Sequence, residues 1–84
     1  MNLDELRVEI DQIDTEMMEL FKKRMHVSSL IGQYKKEHQL PIFDAKREIE
    51  LLEKRKQALQ DTSLWPLYKD FIQEVMRLSK VYQK

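Results

Sequence analysis

One stretch, Leu3 to Lys36, limits what this chain can fold into more than any other. Within it, ten positions follow one another at alternating spacings of three and four residues, which is the pattern of a long packed helix. We call these positions the seam: Leu3, Leu6, Ile10, Ile13, Met17, Leu20, Arg24, Val27, Ile31 and Tyr34. A helix of this length spans roughly 50 Å, whereas a compact monomer of this size is only about 30 Å across. We therefore predict a homodimer in which two long helices run side by side and cover each other's seam.

Arg24 is the exception in the seam, since the other nine positions are apolar or aromatic. Burying a guanidinium costs several kcal/mol unless an anion and hydrogen bonds satisfy it. The position of Arg24 therefore calls for an explanation, since a purely structural bundle has little reason to bury a lone guanidinium without an anion. The alternative from a different functional class is a non-catalytic helical module for dimerisation or partner binding, in which the charged side chains are merely solvated.

The composition favours an all-α fold. One Gly, two Pro and abundant Leu, Glu, Lys, Gln and Met are typical of helical proteins, because those side chains lose little rotamer freedom in a helix. Eighty-four residues form a single domain, spanning 1–84, and no cysteine is available to reinforce it. A chain without cysteine fits a reducing compartment, so we expect a cytoplasmic protein.

The breaks in the pattern divide the chain into one long helix and two shorter ones. Pro41 and the polar residues before it predict a first break over 37–43. Asp44 is a suitable cap for a second helix that reaches roughly to Leu59. A short loop over 60–63 follows, and a third helix carries a broad apolar face from Leu64 to Tyr82.

Several kinds of partner are disfavoured by the sequence. Fifteen basic and fifteen acidic side chains balance and alternate along the chain, so we expect no general nucleic-acid binding. No apolar run approaches the roughly 20 residues of a membrane span. His26 and His38 lack partnering Cys or His at metal-site spacing, so we expect no metal.

Polar residues at helical spacing indicate where a ligand could bind. One stripe of the first helix carries two cations about 16 Å apart with small residues between them, and its members are Arg24, Ser28, Ile31, Gly32 and Lys35. Arg7 is too distant to serve the same pocket, but in an antiparallel dimer it could approach the pocket of the partner.

Two further groups lie on the shorter helices. Asp44, Arg47 and Glu48 lie on one face at the start of the second helix, which a capping aspartate and a surface ion pair would also explain. Ser79 and Gln83 lie one turn apart near the end of the third helix.

Together these residues resemble the all-helical (AroQ-type) chorismate mutase family, and the similarity covers nearly the whole chain. The matching pieces, in order, are the opening LRVEIDQID, the KKR that carries Arg24, the IGQYK that carries Gly32 and Lys35, the PIFDAKRE after the turn, and the final SKVYQ. The resemblance implies an intertwined homodimer that converts chorismate to prephenate in phenylalanine and tyrosine biosynthesis, without a cofactor.

The resemblance also implies a role for each matching residue. Arg24 and Arg47 would bind the substrate carboxylates, joined by Arg7 of the partner subunit. Lys35 and Gln83 would donate hydrogen bonds to the ether oxygen. Asp44 and Glu48 would hold the ring hydroxyl. Ser79 would line the site near a carboxylate.

Two questions stay open at this point. An isochorismate pyruvate lyase is the nearest rival, because it is a related enzyme on the same fold with a similar set of cations. Asp44 and Glu48 favour the mutase, since lyase relatives are less acidic there. The sequence is also compatible either with a free-standing enzyme or with the mutase portion of a fusion to another enzyme of aromatic biosynthesis.

Overall fold

The computed structural model describes all residues, 1–84, as three helices without strands. Helix α1 spans Leu3–Glu37, α2 spans Ala45–Leu59 and α3 spans Trp65–Gln83. The predicted all-α class is confirmed, with one long helix and two shorter ones, and the predicted boundaries agree to within about one residue.

Side-chain caps explain where α1 and α2 begin. The Asn2 side chain accepts a hydrogen bond from the Glu5 amide at 2.9 Å, and Asp44 accepts one from the Arg47 amide at 3.0 Å. These two bonds satisfy amide groups that a helix start leaves without intrahelical partners. Asp61 accepts from the amides of Ser63 and Leu64, both at 3.0 Å, in the turn before α3, whereas α3 itself begins without a side-chain cap.

The core is small and lies where α1 crosses α3. Helix α3 packs against both other helices. Only five residues are buried, and all belong to α1 or α3: Ser28, Gly32, Ile72, Met76 and Ser79. The chain measures 54 × 26 × 16 Å, and its radius of gyration of 15.9 Å exceeds the roughly 12 Å of a compact chain of this length.

The seam is exposed in the single chain. Its nine apolar side chains retain between 39% and 62% of their accessible surface, from Leu6 to Leu20. An apolar stripe of this length, interrupted only by Arg24, marks an interaction face when it lies on a free surface. No helix is both long enough and apolar enough to cross a membrane.

Candidate active site

One cavity, of about 290 Å³, lies among the three helices and collects seven of the eight predicted site residues. Its charged and polar lining consists of Arg24, Lys35, Asp44, Arg47, Glu48, Ser79, Lys80 and Gln83, and its apolar lining of Ile31, Ile42, Leu51 and Met76. Arg7 is the one predicted residue that does not line it. Arg7 lies 17 residues before Arg24 on the same helix, about 25 Å away along its axis.

Arg24 is half-buried and its guanidinium donates a hydrogen bond to the Ser79 hydroxyl on α3. Burial and the nearby positive charge of Arg55 lower the pKa of Arg24, while Tyr68 opposes that shift. The side chain nevertheless stays charged at neutral pH, because arginine titrates far above it. A half-buried cation with no carboxylate partner is the electrostatic signature of an anion site.

A chain of hydrogen bonds fixes the end of α3 against α1. The Ser28 hydroxyl donates to the Ser79 carbonyl oxygen at 3.1 Å, and the Gln83 amide nitrogen donates to Ser28 Oγ at 3.2 Å. Because Ser28 has already given its only hydrogen to Ser79, it can face Gln83 only as an acceptor. The Gln83 amide group therefore turns its nitrogen toward Ser28, and its second N–H remains available to a ligand.

Lys35 and Arg47 approach the cavity from different elements. Lys35 Nζ donates to the Ile42 carbonyl oxygen at 2.9 Å, which uses one of its three N–H groups. The Arg47 guanidinium forms no ion pair or hydrogen bond within the chain and so is available to an anion. Asp44 both caps α2 and lines the cavity, so the structural interpretation of this residue is correct but does not exclude a role in binding.

Glu48 forms its ion pair with a residue of another helix and not with its sequence neighbour Arg47. Its Oε1 atom lies 2.7 Å from Lys80 Nζ on α3, and it makes no ion pair with Arg47. Four cations and two carboxylates thus line the cavity and leave it with a net charge of +2. Such a cavity suits a small dianion, and its volume is near the lower end of the roughly 300–1,000 Å³ of small-molecule sites.

A family model described as chorismate mutase type II matches residues 6–84. The chain belongs to the chorismate mutase type II family. This finding confirms the resemblance inferred from the sequence, and it favours neither the lyase nor the non-catalytic module.

Relatives of this chorismate mutase type II chain include longer proteins. The T-protein of Haemophilus influenzae is 37% identical over 75 residues, which are 89% of this chain and 19% of that protein. The T-protein of Enterobacter agglomerans is 32% identical over 78 residues, or 92% and 21%. The bifunctional chorismate mutase/prephenate dehydratase of Aquifex aeolicus is 44% identical over 52 residues, or 62% and 14%. The chain therefore spans about a fifth or less of the length of these curated relatives.

A solved structure shares the fold of this family member over nearly its full length. A conserved hypothetical protein from Pyrococcus furiosus superimposes with a TM-score of 0.80 at 35% sequence identity. The match covers 98% of this chain and 95% of the other. The arrangement of three helices is therefore shared with a relative of the same size.

Two residues that sequence reasoning did not assign to this chorismate mutase type II site are Ser28 and Lys80. Ser28 was recognised only as a small residue on the Arg24 stripe, although its helical register already placed it between Arg24 and Gly32. Lys80 carried no local signal, because its partner Glu48 lies 32 residues away in the chain. Only the packing of α2 on α3 brings them together.

Gly32 lets α3 approach α1 closely enough to place Gln83. A Cβ atom at position 32 would lie 2.7 Å from the Gln83 carbonyl oxygen and 2.9 Å from its Cα atom. We expect Gly32→Ala to lower the melting temperature and, if the chain acts as a chorismate mutase, to reduce kcat for chorismate by about tenfold, because the last turn of α3 must move. Circular dichroism melting and steady-state rates check this.

The exposed neighbour Gln33→Ala serves as the control, since it changes the same helix without touching α3. Without the close contact, alanine would favour the helix over glycine by about 1 kcal/mol. A Gly32→Ala variant that is more stable than the parent and equally active would therefore contradict the close contact.

Proposed function

We propose that the chain catalyses the rearrangement of chorismate to prephenate in the biosynthesis of phenylalanine and tyrosine. The observation that carries the proposal is the single cavity with a net charge of +2 that collects seven predicted residues from all three helices and the connection before α2. Membership of the chorismate mutase type II family supports it.

The chemistry of a Claisen rearrangement suits this set of side chains. The reaction needs no nucleophile and no proton transfer; the substrate must be held in a compact conformer while the C–O bond breaks ahead of C–C formation. Catalysis then consists of positioning and of electrostatic stabilisation of the ether oxygen. Fixed donors meet that need, because their hydrogen bonds strengthen as negative charge develops on the oxygen.

The roles that the family resemblance implies are compatible with the contacts that each side chain leaves free. Arg24 and Arg47 bind the two carboxylates, for which planar guanidinium groups are well shaped. Lys35 and Gln83 donate to the ether oxygen through N–H groups that the chain does not use. Asp44 and Glu48 hold the ring hydroxyl. Ser79 orients Arg24 near a carboxylate.

The same proposal includes a homodimer in which Arg7 of the partner subunit completes each site. The exposed seam supports the dimer, since a second copy would cover it and the single chain buries only five residues. Antiparallel α1 helices would carry Arg7 toward the other subunit's cavity, where a fifth cation would face the substrate.

A wider functional setting also belongs to the proposal. The bifunctional relative from Aquifex aeolicus supports a fused or associated enzyme of aromatic biosynthesis as a partner. The cysteine-free sequence favours a cytoplasmic location.

Direct turnover tests the activity. We expect the purified chain to consume chorismate and form prephenate, and a bicyclic dicarboxylate analogue of the transition state to raise its melting temperature by mass action. Pyruvate release from isochorismate would identify the lyase instead. A folded dimer that leaves chorismate unchanged and melts at the same temperature with the analogue would refute the proposal.

The pH profile tests the role of Gln83. An amide donates without gaining a proton, so we expect kcat/KM to vary by less than about twofold between pH 6 and 8. In Gln83→Glu the side chain is a carboxylate at neutral pH and cannot donate, so kcat/KM should fall about a hundredfold at pH 7.5 and recover only as the pH falls toward the ordinary glutamate pKa of about 4.3.

The exposed Gln33→Glu variant controls for added charge on the neighbouring helix. If Gln83→Glu keeps the parent rate at pH 7.5, Gln83 does not donate to the reacting oxygen.

A further inference from the structure

The ion pair between Lys80 and Glu48 differs from every other ion pair in the chain. Of the four ion pairs, three join residues three or four positions apart and are more than half exposed. The Lys80–Glu48 pair alone connects two helices, with side chains that are only 30% and 24% exposed. Its geometry therefore depends on the tertiary structure, and it is shielded from water more than the other pairs.

A second contact holds the ammonium group of Lys80 in place. Lys80 Nζ lies 4.7 Å from the centre of the Phe43 ring, which belongs to the connection between α1 and α2. The Lys80 side chain thus lies between the ring and the Glu48 carboxylate, and it lines the cavity itself. Because Lys80 is itself held by Phe43, it fixes the Glu48 carboxylate, which then loses little further rotamer freedom when it binds a ligand.

The pair uses one oxygen of Glu48 and leaves the other free. Oε1 accepts from Lys80 at 2.7 Å, whereas Oε2 makes no hydrogen bond within the chain. A carboxylate is an acceptor only, so Oε2 can receive a hydroxyl group but not another acceptor. Lys80 also supplies the fourth positive charge of the cavity, which keeps Glu48 from repelling a dianionic ligand.

We propose that Lys80 is a positioning residue that holds the Glu48 carboxylate with one oxygen directed to the substrate hydroxyl, and so makes the site selective for hydroxyl-bearing dicarboxylates. This inference rests on the proposed function. Lys80 acts through Glu48 and has no direct part in bond breaking, so its loss should affect binding of the hydroxyl group more than the chemical step.

The test compares Lys80→Met, which keeps the aliphatic stem but removes the charge, with Lys80→Arg, which keeps the charge. We expect Lys80→Met to raise KM for chorismate about tenfold with kcat changed less than about threefold, and Lys80→Arg to restore KM to within about threefold of the parent. Circular dichroism and sedimentation confirm that both variants are folded and assembled like the parent.

Two bicyclic dicarboxylate analogues, one with the ring hydroxyl and one without, identify the mechanism by calorimetry. Lys80→Met should bind the hydroxyl analogue about tenfold more weakly and the deoxy analogue less than about threefold more weakly, because both dianions lose one attractive charge but only the first loses the fixed acceptor for its hydroxyl group. In a Glu48→Gln background, Lys80→Met should cause no further loss, because the group on which it acts is already changed.

The outcomes separate the two proposals. An equal loss for both analogues, an unchanged KM, or additive effects of the two substitutions would overturn the role of Lys80 while leaving the mutase activity standing. A parent chain that neither converts chorismate nor binds either analogue would overturn both.

Discussion

Arg24→Ala should reduce kcat/KM for chorismate by at least about a thousandfold, because it removes a half-buried guanidinium that has no carboxylate partner in the chain and is available to a substrate carboxylate. The loss combines a missing contact to a substrate carboxylate with a Ser79 hydroxyl that is left without its partner. Initial rates of prephenate formation measure the effect, and binding of the bicyclic dicarboxylate analogue shows whether affinity falls in parallel.

Arg77→Ala is the matched control, since the Arg77 guanidinium is exposed and pairs only with Glu74 on the same helix. We expect it to change kcat/KM by less than about twofold, because exposed pairs of this kind contribute little. If Arg24→Ala retains a tenth of the parent activity, the anion site must be elsewhere in the chain.

If the chain forms the proposed homodimer, Ile10→Asp should raise its dissociation constant by at least about a thousandfold, or about 4 kcal/mol. In a symmetric interface the substitution would occur twice, and each copy would place a carboxylate where an apolar side chain would be covered. Sedimentation equilibrium measures assembly, and melting curves at several protein concentrations measure the linked loss of stability.

Val8→Asp provides a closely matched control. Val8 and Ile10 lie two residues apart on nearly opposite sides of α1, and both are 55% exposed in the single chain. A seam-specific dimer predicts that only Ile10→Asp dissociates. Equal effects of the two substitutions would mean that the seam is not the interface.

Local physics explains why most of the fold was predictable. The three-and-four spacing from Leu3 to Tyr34, the caps Asn2 and Asp44 and the break at Pro41 each act over a few residues, so the sequence displays them directly. Arg24 was also visible, because a cation at an apolar position violates the pattern around it.

Other parts of the site could not be predicted, because they depend on contacts between helices. Arg24 and Ser79 are separated by 55 residues, and so are Ser28 and Gln83. Helical periodicity states which face a side chain occupies, but not which face of another helix lies opposite. Glu48 shows the difference most clearly, since its sequence neighbour Arg47 suggested a local pair and the structure pairs it with Lys80 instead.

The amino-acid sequence by itself determined three helices, their limits, a cation at Arg24 in an otherwise apolar seam, and a family resemblance carried by residues at set positions. The tertiary structure decided that seven of those residues line one cavity, that Gly32 admits the end of α3, and that Ser28 and Lys80 orient Gln83 and Glu48. The physical reason is the distance along the chain over which each kind of interaction acts. Propensity, capping and periodicity operate within about one or two helical turns, whereas hydrogen bonds and ion pairs between helices exist only after α3 has packed against α1 and α2.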